Sequence, residues 1–181
     1  MSTAQIVTLG LAALIVFWML GAYNRVMALR NAIGGAWQQV DDTLQKRGAA
    51  VAPLAAALRE PLAAEQRALD ALIAAQTQVQ AAADAVRLRP VQAERVAALT
   101  GAEAAMRAAT SRVLALLDQH PGLLEDEAIA GPVRALREAE PRLGFARQLF
   151  NDASQTYDTA VAQFPTRLLA RLYGFGAAGR L

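Results

Sequence analysis

The sequence predicts an all-α protein, with an N-terminal transmembrane helix continuing into an antiparallel four-helix bundle. Three observations predict it. Alanine supplies 43 of the 181 residues and β-branched runs are scarce, which favours helix over strand. No charged side chain occurs before Arg25. Beyond it, apolar residues recur at alternating three- and four-residue spacing through segments separated by proline- or glycine-bearing breaks.

The anchor, residues 1–24, comes first. Its run "IVTLGLAALIVFWMLGA" from Ile6 to Ala22 is almost wholly apolar, with Ile6, Leu14, Phe17, Trp18 and Leu20 as lipid-facing positions. About 20 helical residues span a ~30 Å hydrocarbon core. Trp18 and Tyr23 suit the interfacial aromatic belt. A cleavable leader wants basic residues ahead of its apolar run and small residues before the cut. No Lys or Arg precedes this run and Leu20 sits where a small residue belongs, so an uncleaved anchor is expected. Arg25, Arg30, Lys46 and Arg47 all follow the span, which puts the N-terminus outside and the body in the cytoplasm.

The bundle domain, residues 25–165, is expected to hold helices at about 23–58, 61–87, 91–119 and 132–164. Along the first, Tyr23, Val26, Arg30, Ile33, Trp37, Val40, Leu44, Arg47, Val51, Leu54 and Leu58 form one coiled-coil-like packing stripe. Because the stripe begins at Tyr23, the anchor should run into the bundle as one helix. Gly34 and Gly35 lie off it and weaken the helix by about 1 kcal/mol each relative to Ala. They point either to close approach by another helix or to a bend. Pro53 should kink or end the helix nearby.

Glu60–Pro61 should restart the chain as a helix with Leu62, Glu65, Leu69, Leu72, Gln76, Val79, Ala83 and Val86 inward. The third helix turns Leu99, Ala102, Met106, Ala109, Val113 and Leu116 inward. The stretch His120–Pro132 reads as a loop. In the fourth, Leu136, Ala139, Leu143, Ala146, Phe150, Ala153, Tyr157, Ala160 and Phe164 alternate large and small, so a neighbouring helix can come close. Pro141 should kink it. In an up-and-down bundle the fourth helix returns towards the membrane. The tail, residues 166–181, is then an amphipathic or flexible segment, with Arg167, Leu168, Arg171, Leu172 and Phe175 as candidate lipid contacts. Folding back onto the bundle is the alternative.

The sequence offers little chemistry. A net charge of +2 without a basic-aromatic cluster argues against nucleic acid. With no cysteine there is no disulfide or thiolate metal site. The one histidine, His120, precedes a proline in a loop, and Ser111 and Ser154 lack a histidine partner. Asp41–Asp42 and Glu125–Asp126–Glu127 read as solvated acids rather than cation ligands. No catalytic residue, cofactor or metal is expected. Arg30 and Arg47 on the first stripe, with Glu140 and Arg147 on the fourth helix, should form ion pairs that set helix register, or else read a partner.

Two motifs resemble those of the LemA family of bacterial membrane-anchored helical proteins. The first is Tyr23-Asn24, Leu29-Arg30-Asn31, Ala36-Trp37, Asp41, Leu44 and Lys46-Arg47. The second is Ala146-Arg147, Phe150-Asn151, Tyr157-Asp158 and Phe164-Pro165, closed by Gly174-Phe175, with "HPGL" at His120–Leu123 between the two. The resemblance covers Tyr23 to Phe175. Departures include the late proline of "VAPL", Gly48-Ala49 after the basic pair, and Asp158 in place of Asn. The resemblance implies a membrane-tethered four-helix bundle in the bacterial inner membrane and a part in membrane organisation.

The expected function is a non-enzymatic scaffold mediating protein–protein or self-association there. Its expected partners are the lipid bilayer, an unidentified membrane or cytoplasmic protein, and further copies of the chain. A membrane-shaping protein acting on lipid directly and a signalling adaptor are the alternatives.

Overall fold

A computed structural model describes residues 2–181. Its first helix, α1 (Thr3–Leu58), runs unbroken from the apolar segment into the bundle, with Ser2 and Gln5 forming a capping box at its start. At ~1.5 Å per residue its 56 residues make a rod about 84 Å long. It is the helix, among the described residues, long and apolar enough to cross a membrane, and its apolar window is wholly unburied. Beyond the span, every position of the predicted stripe is buried except Tyr23 and Arg30. Pro53 neither ends nor interrupts α1, which continues to Leu58; the proline faces outward.

Three helices close around this rod: α2 (Gln66–Leu88), α3 (Ala93–Gln119) and α4 (Glu127–Ala162), followed by the short α5 (Thr166–Tyr173). No strand occurs among the described residues. α4 packs along α1 and α2 along α3. The alanines at alternate stripe positions of α4 let it lie close against α1, since a methyl group holds backbones apart less than a branched side chain.

Several boundaries differ from the sequence expectation. α2 starts at Gln66 rather than at 61, because the Gln66 amide reaches back to the Arg59 and Leu62 carbonyls and caps the end of α1. α3 starts at Ala93 rather than 91, because the Val91 carbonyl accepts from Gly179 N–H and Gln92 bridges to Ala178 in the tail. α4 starts five residues before Pro132, since the Asp126 carboxylate caps Ala128 N–H at 2.9 Å and sets the first turn. Pro132 and Pro141 both lie within α4, which passes them as one element. α4 stops at Ala162, so Phe164, expected to end the stripe, is exposed beyond it.

Candidate functional site: the anchor-facing end of the bundle

The middle of the bundle holds an ionic cluster centred on a buried Arg47–Glu103 pair. Arg47 on α1 is 2% exposed and Glu103 on α3 is 4% exposed. Arg47 donates to both oxygens of Glu103, with Nη1 at 3.0 Å, and lies 3.7 Å from Glu140 on α4. Arg147 of α4 donates to the second Glu103 oxygen at 2.5 Å. One carboxylate thus ties three helices. Arg47, Glu140 and Arg147 were legible as charges near packed positions. Glu103 was not, although Leu99, Glu103 and Met106 keep the four-then-three spacing of the α3 stripe. This cluster is structural: its carboxylates and guanidinium groups face one another across three helices, with Arg47 Nε left without an acceptor among the described residues and Glu140 45% exposed.

The anchor-facing end is arranged differently. After α5, Gly174 takes the left-handed conformation (φ 68°), which glycine adopts without a Cβ clash, and turns the chain back. The tail then runs along the bundle, held by the second sequence motif. Tyr157 Oη donates to Gly176 O at 3.1 Å, and the Asp158 carboxylate accepts from Ala178 N–H at 2.8 Å. Asn151 both donates to and accepts from the Leu181 backbone, at 2.8 Å in each case. Residues 174–181 are therefore a fitted strap, which the amphipathy of the sequence did not reveal. Burial pushes the Tyr157 phenol above its ordinary value; the charge of Arg30 opposes the shift and that of Asp158 adds to it.

α5 lies where α1 leaves its apolar segment, since the Tyr23 and Tyr173 rings stand 5.5 Å apart. Leu169 and Ala170 face the bundle, while Leu168 and Leu172 point outward at 55% and 70% exposure beside exposed Arg167 and Arg171. Phe175, the last of the five candidate lipid contacts, is instead half-buried between Tyr23, Tyr173 and Arg30. Among the described residues, Arg25, Arg30, Arg89, Arg167 and Arg171 at this end form no ion pair. The far end carries Asp118, Glu125, Asp126 and Glu127 instead.

Between α1, the α2–α3 connection and the strap lies a groove of about 970 Å³. Arg30, Asn31 and Trp37 of the first motif line it together with Gly34 and Gly35, with Arg89 and Glu94 among the residues from the α2–α3 connection. Trp37 also meets Phe150 edge to face, 6.1 Å between centroids. A Cβ on Gly34 or Gly35 would meet nothing within 4 Å, so no helix crosses closely there. The close approaches are elsewhere, at Gly48 against the Gln76 side chain and at Gly179 against Val96 and Ala93.

The remaining candidates fall into structural roles. Asp41 accepts two bonds from Arg87 (2.8 and 3.0 Å), and these raise the pKa of the Arg87 guanidinium above its ordinary value. Asp42 meets Lys46 at 3.5 Å, Glu127 meets Arg134 at 2.5 Å, and exposed His120 sits 3.0 Å from the Leu116 carbonyl. Asn24 is exposed, Leu29 is half-buried against the core, and Leu44 is buried in it.

The model of one protein family, the LemA family, matches residues 36–180. The chain is also 30% identical over 78 residues to the magnetosome protein MamQ of Magnetospirillum gryphiswaldense, covering 43% of this chain and 29% of that one. Two proteins of Paramagnetospirillum magneticum, magnetosome proteins MamQ 1 and MamQ 2, are 30% identical over 81 residues, or 45% of this chain and 30% of each. The chain thus matches less than a third of the length of these relatives.

Proposed function

This chain belongs to the LemA family, and from that premise we propose a non-enzymatic scaffold of the bacterial inner membrane, its bundle on the cytoplasmic side. One observation carries the reading: α1 passes from an unburied apolar segment into the packed stripe without interruption. A single rigid element then posts the bundle upright at the bilayer, where its outer helix faces and acidic far end meet other proteins or other copies. The basic anchor-facing end supports the cytoplasmic placement. Likeness to proteins named for the magnetosome supports a setting in membrane organisation.

Crosslinking in cells, followed by identification of what is captured, tests this. Specific adducts to a membrane or cytoplasmic protein, or to a second copy, are expected. A chain that stays monomeric and unlinked contradicts it.

A second reading, lipid binding by α5 with an effect on membrane shape, is favoured by the outward Leu168 and Leu172 flanked by Arg167 and Arg171. Replacing both leucines by Gln should leave folding intact and reduce the curvature of reconstituted vesicles. Unchanged vesicle shape removes that reading.

A further inference from the structure

We propose that the groove between α1, the α2–α3 connection and the strap binds a phosphate-bearing anion at the end of the bundle that follows the apolar segment. Four observations converge on it. Gly34 and Gly35 weaken the middle of a long helix, yet a Cβ on either would meet only empty space. Packing therefore does not require them, whereas clearance on the groove wall does. Trp37 belongs to the same wall, is 2% exposed, and its indole N–H is buried with no acceptor among the described residues. A buried donor without a partner is rare and marks a place where an acceptor belongs.

The charges agree with an anion. Arg30 and Arg89 line the groove and neither has a carboxylate partner among the described residues. The Phe175 ring, 5.3 Å from the Arg30 guanidinium carbon, steadies that side chain by a cation–π contact and brings no counter-charge to it. Arg87 is already committed to Asp41 and Asp84, which leaves Glu94 as the opposing acid on the wall. Two guanidinium forks flanked by the neutral donors Trp37 and Asn31 match a group with several acceptor oxygens, as phosphate has. The groove is larger than a phosphate alone and admits the alcohol part of an ester.

Two sources could present that group, a phospholipid headgroup or a soluble phosphate ester. The full chain carrying Trp18→Phe keeps Trp37 as its one indole and can be placed in phosphate-free maltoside micelles. Glycerol phosphate is titrated in one arm, and phosphatidylglycerol is titrated into the micelles in the other. A shift of Trp37 emission in the first arm identifies a soluble ester, and a shift confined to the second identifies a headgroup. Arg30→Gln with Arg89→Gln should weaken either response about a hundredfold, on the order of tenfold for each lost charge-assisted contact. Gly34→Ala and Gly35→Ala should raise the unfolding temperature and weaken binding together. No emission change in either arm overturns the proposal, as do alanine variants that gain stability and bind unchanged. Neither arm involves a protein partner, so a negative result leaves the scaffold reading standing.

Discussion

Arg30 and Arg47 occupy the same stripe of the same helix, yet they live in different worlds. Arg47 is enclosed by Glu103 and Glu140, and its charge is spent inside the bundle. Arg30, nearer the anchor, meets an aromatic ring and an open groove and has no carboxylate. Periodicity assigns both to the packed face but cannot say what the opposing helix presents. The opposing element decides: α3 brings an acid to the first, and the strap brings Phe175 to the second. One arginine thereby fixes the fold and the other is left available.

Removing the acid should break this contrast most severely. Glu103→Ala would strand two buried or half-buried guanidinium groups, and losing one partner of a buried pair costs about 3–5 kcal/mol. Urea denaturation should show that loss. The paired replacement of Arg47 by Met and Glu103 by Leu should restore most of it, because both desolvated charges then vanish together. Equal instability of the single and double variants would show that the cluster is not the cause.

Next in size is the strap. A Cβ at Gly179 would come within 2.5 Å of Val96 Cβ and 2.9 Å of Ala93 Cα, and the latter is backbone that cannot turn aside. Gly179→Ala should therefore destabilise by about 1–3 kcal/mol and raise hydrogen exchange at the amides of residues 176–181. An unchanged exchange rate there would mean that the strap does not depend on this contact.

A smaller effect concerns pH. The folded-state pKa of Tyr157 lies above the ordinary 10.0, so the phenol stays neutral in the fold after it would ionise in the unfolded chain. Its contribution is complete below the ordinary value and is lost as pH rises through the folded one. Stability should fall above about pH 10, and Tyr157→Phe should flatten that fall while losing the bond to Gly176. Smallest of all, Arg30→Gln should change stability by no more than about 0.5 kcal/mol. A loss as large as that of Glu103→Ala would erase the distinction between the two arginines.

What the sequence disclosed follows from what each signal measures. Uncharged length disclosed the long apolar start of α1, and repeat spacing disclosed four helices and the shared stripe of α1. Helix ends were misplaced where a side chain or the strap captured backbone groups, as Gln66 does for α1 and Gly179 for Val91. Hydrogen bonds between distant segments leave no periodic trace. The roles of Asn151, Tyr157 and Asp158 as holders of the strap were therefore hidden, although family resemblance had singled these residues out. Glu103 was hidden for another reason, since a lone acid on an otherwise mixed helix reads as solvent-facing until its basic partners are placed in space. Gly34 and Gly35 were noticed correctly but their surroundings were not, because spacing cannot distinguish a crowded neighbour from an empty groove.

One straight helix, α1, joins the apolar segment to the bundle. The chain has no native cysteine, so spin labels can be placed at outward-facing Leu14 and Gln39 alone. In lipid nanodiscs, pulsed dipolar spectroscopy should give a single narrow distance near 38 Å, from 25 residues at ~1.5 Å each. A broad distribution, or one centred well below that value, would mean that the rod bends or breaks between membrane and bundle.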